Sequence, residues 1–100
     1  MTTHVPDKLK GQPVVYMLRC ADGSLYTGWT NDFSQRLAAH RSGKGGKYTR
    51  SRLPLDAVYL EFMSGRSEAL KREAAIKKLT PAKKRALLTS SLNRIGDYNL

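Results

Sequence analysis

Two runs of β-forming residues near the start of the chain enclose a segment with turn composition. The first run extends from Pro13 to Cys20 and the second from Leu25 to Thr30, with Ala21-Asp22-Gly23-Ser24 between them. Aspartate, glycine and serine favour tight turns, so this pattern predicts an antiparallel hairpin. A third apolar run, from Leu55 to Met63, predicts a third strand.

Three other stretches have helical start signals. A side-chain oxygen just before a helix accepts a hydrogen bond from its first turn, and proline is well tolerated at the first helical position. Gly43 is expected to end the first of these helices. The predicted helices are 33–42, opened by Asn31 or Asp32; 68–79, opened by Ser67; and 81–90, opened by Thr80 before Pro81.

The resulting element order, β-β-α-β-α-α, predicts an α+β fold in which a three-stranded antiparallel sheet is flanked by helices. The chain has 100 residues, enough for one small domain. We expect a flexible N-terminal segment at 1–12, the domain at 13–90 and a C-terminal tail at 91–100. With no signal-peptide core and no membrane-length apolar run, we expect a cytoplasmic protein without a membrane partner. Cys20 stands alone, so no disulfide-linked partner is expected.

The charge is strongly positive. Eighteen Lys and Arg residues against eight Asp and Glu residues give a net charge of +10, a balance typical of proteins that bind polyanions. No acidic residue lies between Phe33 and Leu55, a window that includes the glycine-rich segment 43–52. We interpret this segment as a flexible basic loop that binds a phosphate backbone. The residues expected to bind nucleic acid here are Arg41, Lys44, Lys47, Tyr48, Arg50 and Arg52.

Two pairs of side chains suggest chemistry at a phosphate. Tyr16 and Tyr26 are nearly equidistant from the predicted turn, which would place them opposite each other on one sheet face. Arg36 and His40 are four residues apart and share a helix face. Arginine suits phosphate oxygens, and histidine exchanges protons near neutral pH. Alternatively, the tyrosines are structural cross-strand partners and the other pair belongs to a solvated helix face.

Glu73 lies near the helix stripe that should face the core, between Leu70 and Ile76. Removing a carboxylate from water costs several kcal/mol unless a cation or hydrogen bonds compensate. Glu73 therefore either borders a cleft and holds a cation, or pairs with a nearby base such as Lys77. The residue pattern leaves both interpretations open.

Together these residues resemble the GIY-YIG nuclease superfamily, and most closely its small stand-alone bacterial members. The first motif is Val14-Val15-Tyr16 and the second is Tyr26-Thr27-Gly28. Arg36 and His40 follow at a spacing found in several members, and Glu73 stands where the family keeps its metal-binding glutamate. Each motif is weak by itself, whereas the five in register are specific.

The resemblance implies a one-metal phosphodiesterase. Glu73 would hold a divalent cation, Mg²⁺ or Mn²⁺, at the scissile phosphate. Tyr16, Tyr26 and His40 would position the attacking water and move its proton, and Arg36 would stabilise the charged transition state. A phenol with a pKa near 10 is a poor base, so Arg36 or the metal would have to favour the phenolate. Gly28 would let the backbone approach the nucleic acid.

The chain departs from the family pattern at two positions that bear on activity. Trp29 replaces a lysine that some members have, and no asparagine lies between Glu73 and Leu88. We therefore expect a metal-dependent DNA endonuclease, directed by DNA structure and acting in repair or recombination, with RNA as an open substrate. The alternatives are a DNA- or RNA-binding module without appreciable turnover, and an interaction domain that docks on acidic partners.

Overall fold

The computed structural model of the chain describes residues 9–98 and is built around a three-stranded antiparallel sheet. The strands are β1 (Lys10–Arg19), β2 (Leu25–Asp32) and β3 (Asp56–Phe62), with β1 in the middle. This confirms the predicted α+β fold. The helices are α1 (Phe33–Arg41), α2 (Lys47–Arg50), α3 (Arg66–Lys77) and α4 (Pro81–Leu87), followed by a short 3₁₀ helix (Ile95–Asp97).

Both faces of β1 are apolar because each is covered. Successive strand residues point to opposite faces, so Val14, Tyr16 and Leu18 pack on the side of α1. Val15 and Met17 pack on the side of α3. We call these two sides the α1 face and the α3 face. Because the sheet lies between these two faces, the core consists of two thin layers, one on each face.

Two of the three predicted helix starts are confirmed. The side chain of Asp32 accepts from the Gln35 amide at the start of α1, and that of Thr80 accepts from the Lys83 amide at the start of α4. The predicted cap at Ser67 is wrong, since α3 begins at Arg66 and Ser67 lies inside the helix. There the Glu68 carboxylate accepts a 2.6 Å hydrogen bond from the Ser64 amide before the helix, whereas the amides of the first turn have no side-chain cap in the described part of the chain.

The hairpin register differs from the predicted one. Tyr16 lies opposite Gly28, and Tyr26 lies opposite Leu18, so the two tyrosines are diagonal neighbours on one face. The turn is centred on Asp22, whose carboxylate accepts from both the amide and the hydroxyl of Ser24. Facing tyrosines would require a turn centred one residue earlier. The ring centroids are nevertheless 6.4 Å apart, within the range of diagonal contacts.

The domain begins earlier than predicted. Leu9 is completely buried in the core, and β1 starts at Lys10, so residues 9–12 of the predicted flexible segment belong to the folded domain. The rest of that segment, 1–8, lies outside the described residues, as do 99–100.

The predicted tail is wrong for 91–98. The side chain of Asn93 accepts from the Leu60 and Ile95 amides and donates to the Val58 and Leu88 carbonyls. These four bonds satisfy the amide completely and fasten the end of the chain to β3. The C-terminal residues therefore extend the domain instead of leaving it.

None of the helices in residues 9–98 combines the length and apolarity needed to cross a membrane. Cys20, at the end of β1, is buried and carries a free thiol.

Candidate active site

A chain of hydrogen bonds joins three buried side chains on the α1 face. The phenol oxygen of Tyr16, on β1, lies 2.9 Å from His40 Nε2, on α1. His40 Nδ1 lies 2.9 Å from Thr49 Oγ1, on α2. Tyr16 is 1% exposed and the other two side chains are completely covered. The imidazole thus has a hydroxyl at each nitrogen, an arrangement that can accept a proton from the phenol.

Arg36 lies one helical turn before His40 and borders the same phenol. Its Nη2 donates a 2.8 Å hydrogen bond to the carbonyl of Gly45, and its guanidinium is close enough to Tyr16 to act to lower the pKa of that tyrosine. The structure therefore brings together two residues that the helical spacing places on one face. A guanidinium at this position can stabilise negative charge beside the phenol.

Two glycines make room for this group. A Cβ on Gly28 would lie 2.6 Å from the phenol oxygen of Tyr16, and one on Gly45 would lie 2.6 Å from His40 Cα. Real Cβ atoms do not approach that closely, so each position needs glycine. The contact of Gly28 with nucleic acid stays a prediction, whereas its packing under Tyr16 is evident. The sequence pattern places Gly45 only in a basic loop, and no spacing rule marks it as part of a site.

Burial sets the protonation states of the two central groups. It lowers the pKa of His40 from 6.5 to about 4, with the positive charge of Arg36 as the second cause. It raises the pKa of Tyr16 to about 12, outweighing the opposing effect of Arg36. The expectation that Arg36 makes a tyrosine phenolate is therefore not met at Tyr16 in the free protein. Near neutral pH a protonated phenol faces a neutral imidazole.

Tyr26 connects this buried group to the surface. It is half-buried, and its ring centroid lies 5.3 Å from that of His40 and 5.8 Å from that of Tyr48. Tyr48 is 39% exposed. A substrate approaching from solvent would therefore meet Tyr48 and Tyr26 before it met Tyr16.

Glu73 makes the predicted ion pair with Lys77 and also lies near the Tyr16 phenol, while its metal role stays a prediction. Its carboxylate is 3.4 Å from Lys77 Nζ, the predicted i,i+4 pair. Its negative charge is also close enough to contribute to the raised pKa of Tyr16. The side chain is 18% exposed, so it is partly shielded from water yet accessible. An exposed lysine partner at this distance holds a carboxylate weakly.

The side chains around Glu73 suit a hard cation with few protein ligands. Within residues 9–98, no group of three or more His, Cys, Asp or Glu residues could hold a metal ion, which does not suit a structural zinc site. A single, partly shielded carboxylate near the Tyr16 phenol suits Mg²⁺, which keeps several waters and needs few protein ligands. The donor set therefore fits the divalent cation expected from the sequence.

The basic segment is folded, not a loop throughout. Residues 47–50 form α2, whose Thr49 is anchored on His40. The glycine-rich composition of the segment does not predict this helix, which has only four residues. Four of the predicted nucleic-acid-binding side chains are exposed and, among residues 9–98, have no ion pair: Arg41, Lys44, Lys47 and Arg50.

Arg52 differs from these four cations. Its Nε donates to Asp22 at 3.0 Å, and its guanidinium lies 3.8 Å from the ring centroid of Tyr48. Its backbone carbonyl also accepts from the Ala21 amide. Arg52 thus fastens α2 to the hairpin turn, and its predicted contact with nucleic acid would compete with these bonds.

Trp29 lies on the opposite side of the sheet from Tyr16. It packs against the α3-face core, and the Arg66 guanidinium lies 5.8 Å from its ring centroid. The tryptophan that replaces a lysine of some family members therefore contributes to packing against α3.

Comparison with known proteins places this geometry in a family. Residues 12–86 match the GIY-YIG catalytic domain. A UPF0213 protein of Clostridium perfringens is 53% identical over 84 residues, covering 84% of this chain and 90% of the relative. A UPF0213 protein of Halobacterium salinarum is 47% identical over 73 residues, covering 73% and 95%.

Two solved structures agree with the fold. The solution NMR structure of a UPF0213 protein from Bacillus halodurans is 40% identical, with a TM-score of 0.55 over 83% of this chain and 88% of that one. The solution NMR structure of an E. faecalis protein is 44% identical, with a TM-score of 0.56 over 79% and 84%. With its motifs, sheet order and relatives in agreement, the chain belongs to the GIY-YIG catalytic domain family, a nuclease family, and is similar to its UPF0213 proteins.

Proposed function

We propose that the protein is a metal-dependent endonuclease that hydrolyses phosphodiester bonds in DNA. The observation that carries this proposal is the hydrogen bond between the Tyr16 phenol and a neutral His40, with Arg36 beside it. A domain that only bound nucleic acid would need cations, but it would not need a buried phenol facing a proton acceptor.

In the proposed reaction the proton of the attacking water passes through Tyr16 to His40. The phenol oxygen accepts the water proton while its own proton moves to His40 Nε2, 2.9 Å away. Because the two transfers are concerted, no free phenolate forms, which suits a tyrosine whose pKa is raised to about 12. Tyr26, half-buried between Tyr48 and His40, would orient the water and the phosphate.

Arg36 and Glu73 would have different electrostatic roles. Arg36 would place its guanidinium against the phosphate as negative charge accumulates in the transition state. Glu73 would exchange its weak ion pair with Lys77 for the divalent cation. When bound, that cation supplies Lewis-acid stabilisation of the phosphate and leaving oxygen.

The four exposed cations around α2 would dock the substrate backbone. Their contacts are to phosphates, so binding should be independent of sequence and should weaken with salt. The slope is expected to be about −0.9 per phosphate neutralised on duplex DNA. We propose branched or flapped DNA, as met in repair and recombination, as the preferred form.

The direct test is a cleavage assay with a matched pair of glutamate variants. Labelled duplex, single-stranded, flapped and branched DNA, and RNA, are incubated with Mg²⁺, Mn²⁺ or EDTA. Glu73→Gln should abolish metal-dependent cleavage and leave binding equal or tighter, because a negative charge leaves the site. Glu61→Gln should still cleave, since Glu61 pairs with Arg72 on β3 and α3.

Two results would contradict the proposal. Cleavage that persists at the native rate in Glu73→Gln would exclude the metal role of that residue. Salt-sensitive binding with no cleavage of any DNA form would favour the nucleic-acid-binding module, and cleavage of RNA alone would change the substrate class.

A further inference from the structure

His40 can serve as the proton acceptor only in one of its two neutral forms. A neutral imidazole carries one N–H, and the other nitrogen accepts. Tyr16 lies at Nε2 and Thr49 at Nδ1, both at 2.9 Å. Accepting the phenol proton requires a bare Nε2, and therefore a hydrogen on Nδ1 that points at the Thr49 hydroxyl.

Arg36 favours this form because its guanidinium lies near the phenol, acts on the pKa of Tyr16, and can only donate. A guanidinium has no acceptor atom, so Tyr16 cannot donate to Arg36. If His40 Nε2 carried a hydrogen, both neighbours of the phenol would be donors, and the phenol's own hydrogen would have no acceptor in either of them. With Nε2 bare, the phenol donates to His40, and its lone pairs stay available to a donor such as Arg36.

Thr49 completes the arrangement on the far side of the ring. Its oxygen is the acceptor that the structure supplies for an Nδ1 hydrogen, and this side of the ring is shielded from water, because Thr49 and His40 are both completely buried. Gly45 packs against the same nitrogen. A buried N–H without an acceptor is costly, so removing the Thr49 oxygen should move the hydrogen to Nε2.

We infer that Thr49 is a positioning residue: its hydroxyl fixes the Nδ1–H form of His40, and so keeps Nε2 free to receive the Tyr16 proton. This inference deepens the proposed function and rests on it. It also gives α2 a second role, because the helix that carries the exposed Lys47 and Arg50 carries the buried hydroxyl. Docking of the substrate backbone on α2 thereby acts on the same element that holds the imidazole.

The test measures which imidazole nitrogen carries the hydrogen by ¹⁵N NMR on the intact chain. Activity is measured separately. The chain has two histidines, and a His4→Gln variant assigns the His40 ring. In the wild type, Nδ1 should be protonated and Nε2 bare. In Thr49→Val the hydrogen should move from Nδ1 to Nε2. Thr49→Ser, which keeps the hydroxyl, should retain the wild-type form. Thr49→Ala is the second variant without the hydroxyl.

The kinetic readout separates positioning from folding. Thr49→Val should lower kcat by up to about 100-fold with KM unchanged, because general acid–base catalysis contributes about 10²–10⁴-fold in total, and Thr49→Ser should restore it. Thr27→Val is the matched control: it makes the same substitution at a buried threonine on the α3 face, and should change neither the His40 form nor kcat.

The outcomes of the two assays are independent. A wild-type ring protonated at Nε2, or an unchanged ring in both Thr49→Val and Thr49→Ala, would overturn the inference. Absence of cleavage by the wild type on every substrate would overturn the proposed function, while the NMR spectra would still decide whether Thr49 sets the imidazole form.

Discussion

Tyr16 and Tyr59 are two tyrosines with nearly the same burial and different surroundings. Tyr16 is 1% exposed on the α1 face, Tyr59 is completely buried in the α3-face core, and burial raises the pKa of each to about 12. Tyr16 hydrogen-bonds a neutral imidazole. Tyr59 donates a 2.6 Å hydrogen bond to the Glu61 carboxylate, which also accepts from Arg72 at 3.0 Å.

The difference shows that a raised pKa does not by itself mark a catalytic tyrosine. The Glu61 carboxylate already accepts two donors, one of them a cation, so a further proton there would weaken an ion pair. His40 is neutral and, among residues 9–98, has two hydroxyl partners and no carboxylate partner, so it can take a proton. This contrast supports the proposal that the Tyr16 group takes part in catalysis, whereas the Tyr59 group stabilises the fold.

The largest expected effect comes from removing each phenol hydroxyl in turn. Tyr16→Phe should lower the cleavage rate about 10²–10⁴-fold, the usual contribution of general acid–base catalysis. Tyr59→Phe should cleave near the wild-type rate but lose about 1–3 kcal/mol of stability, because a bond to a charged partner is lost. Single-turnover cleavage and urea unfolding measure the two effects.

Tyr26→Phe is the internal control for this pair. It keeps the ring beside His40 and Tyr48 and removes only a hydroxyl. A native rate in Tyr16→Phe together with a lost rate in Tyr26→Phe would move the proton path to Tyr26 and end the comparison with Tyr59.

The second prediction is that the free energy of unfolding depends on pH through His40, on the α1 face. The folded pKa of His40 is about 4 against 6.5 unfolded, so between these values the unfolded chain binds a proton that the folded protein excludes. Stability should therefore fall as pH falls from 6.5 to 4, by up to about 3 kcal/mol. Above pH 6.5 this contribution is fully present. Urea unfolding at several pH values measures it.

His40→Gln provides the comparison for the pH series. The variant should lose most of the slope between pH 6.5 and 4, whatever its absolute stability. Asp22 does not obscure this window, because hydrogen bonds from Ser24 lower its pKa, and its contribution is lost only below 3.8. An unchanged slope in His40→Gln would mean that the imidazole is charged in the folded state.

The fold could be predicted from sequence because its signals are local. The strand runs, the Asp32 and Thr80 caps and Pro81 each act within a few residues. The ends of the domain were missed since Asn93 acts through contacts with residues more than thirty positions earlier. No local pattern reports such contacts.

Motif spacing predicted the chemical groups of the site but not what holds them. Tyr16, Arg36 and His40 were chosen by residue type and spacing, and the structure brings them together. Thr49 and Gly45 are common residues in a glycine-rich segment, and their role arises only when α2 packs on His40. The diagonal register of the tyrosines depended on a one-residue shift in the turn, which composition does not fix.

The smallest expected effect is on thermal stability, and it compares the buried threonines Thr27 and Thr49. Thr27, in β2 on the α3 face, is 3% exposed, and its hydroxyl has no hydrogen-bond partner in the described part of the chain. Valine has the same shape without the uncompensated oxygen, so Thr27→Val should stabilise the protein by about 1 kcal/mol. Thermal unfolding should shift upward by about 4–8 °C. Thr49→Val should shift it downward, because its hydroxyl is bonded to His40. If both substitutions lowered the melting temperature, Thr27 would also have a polar partner, and the α3 face would no longer differ from the α1 face in this respect.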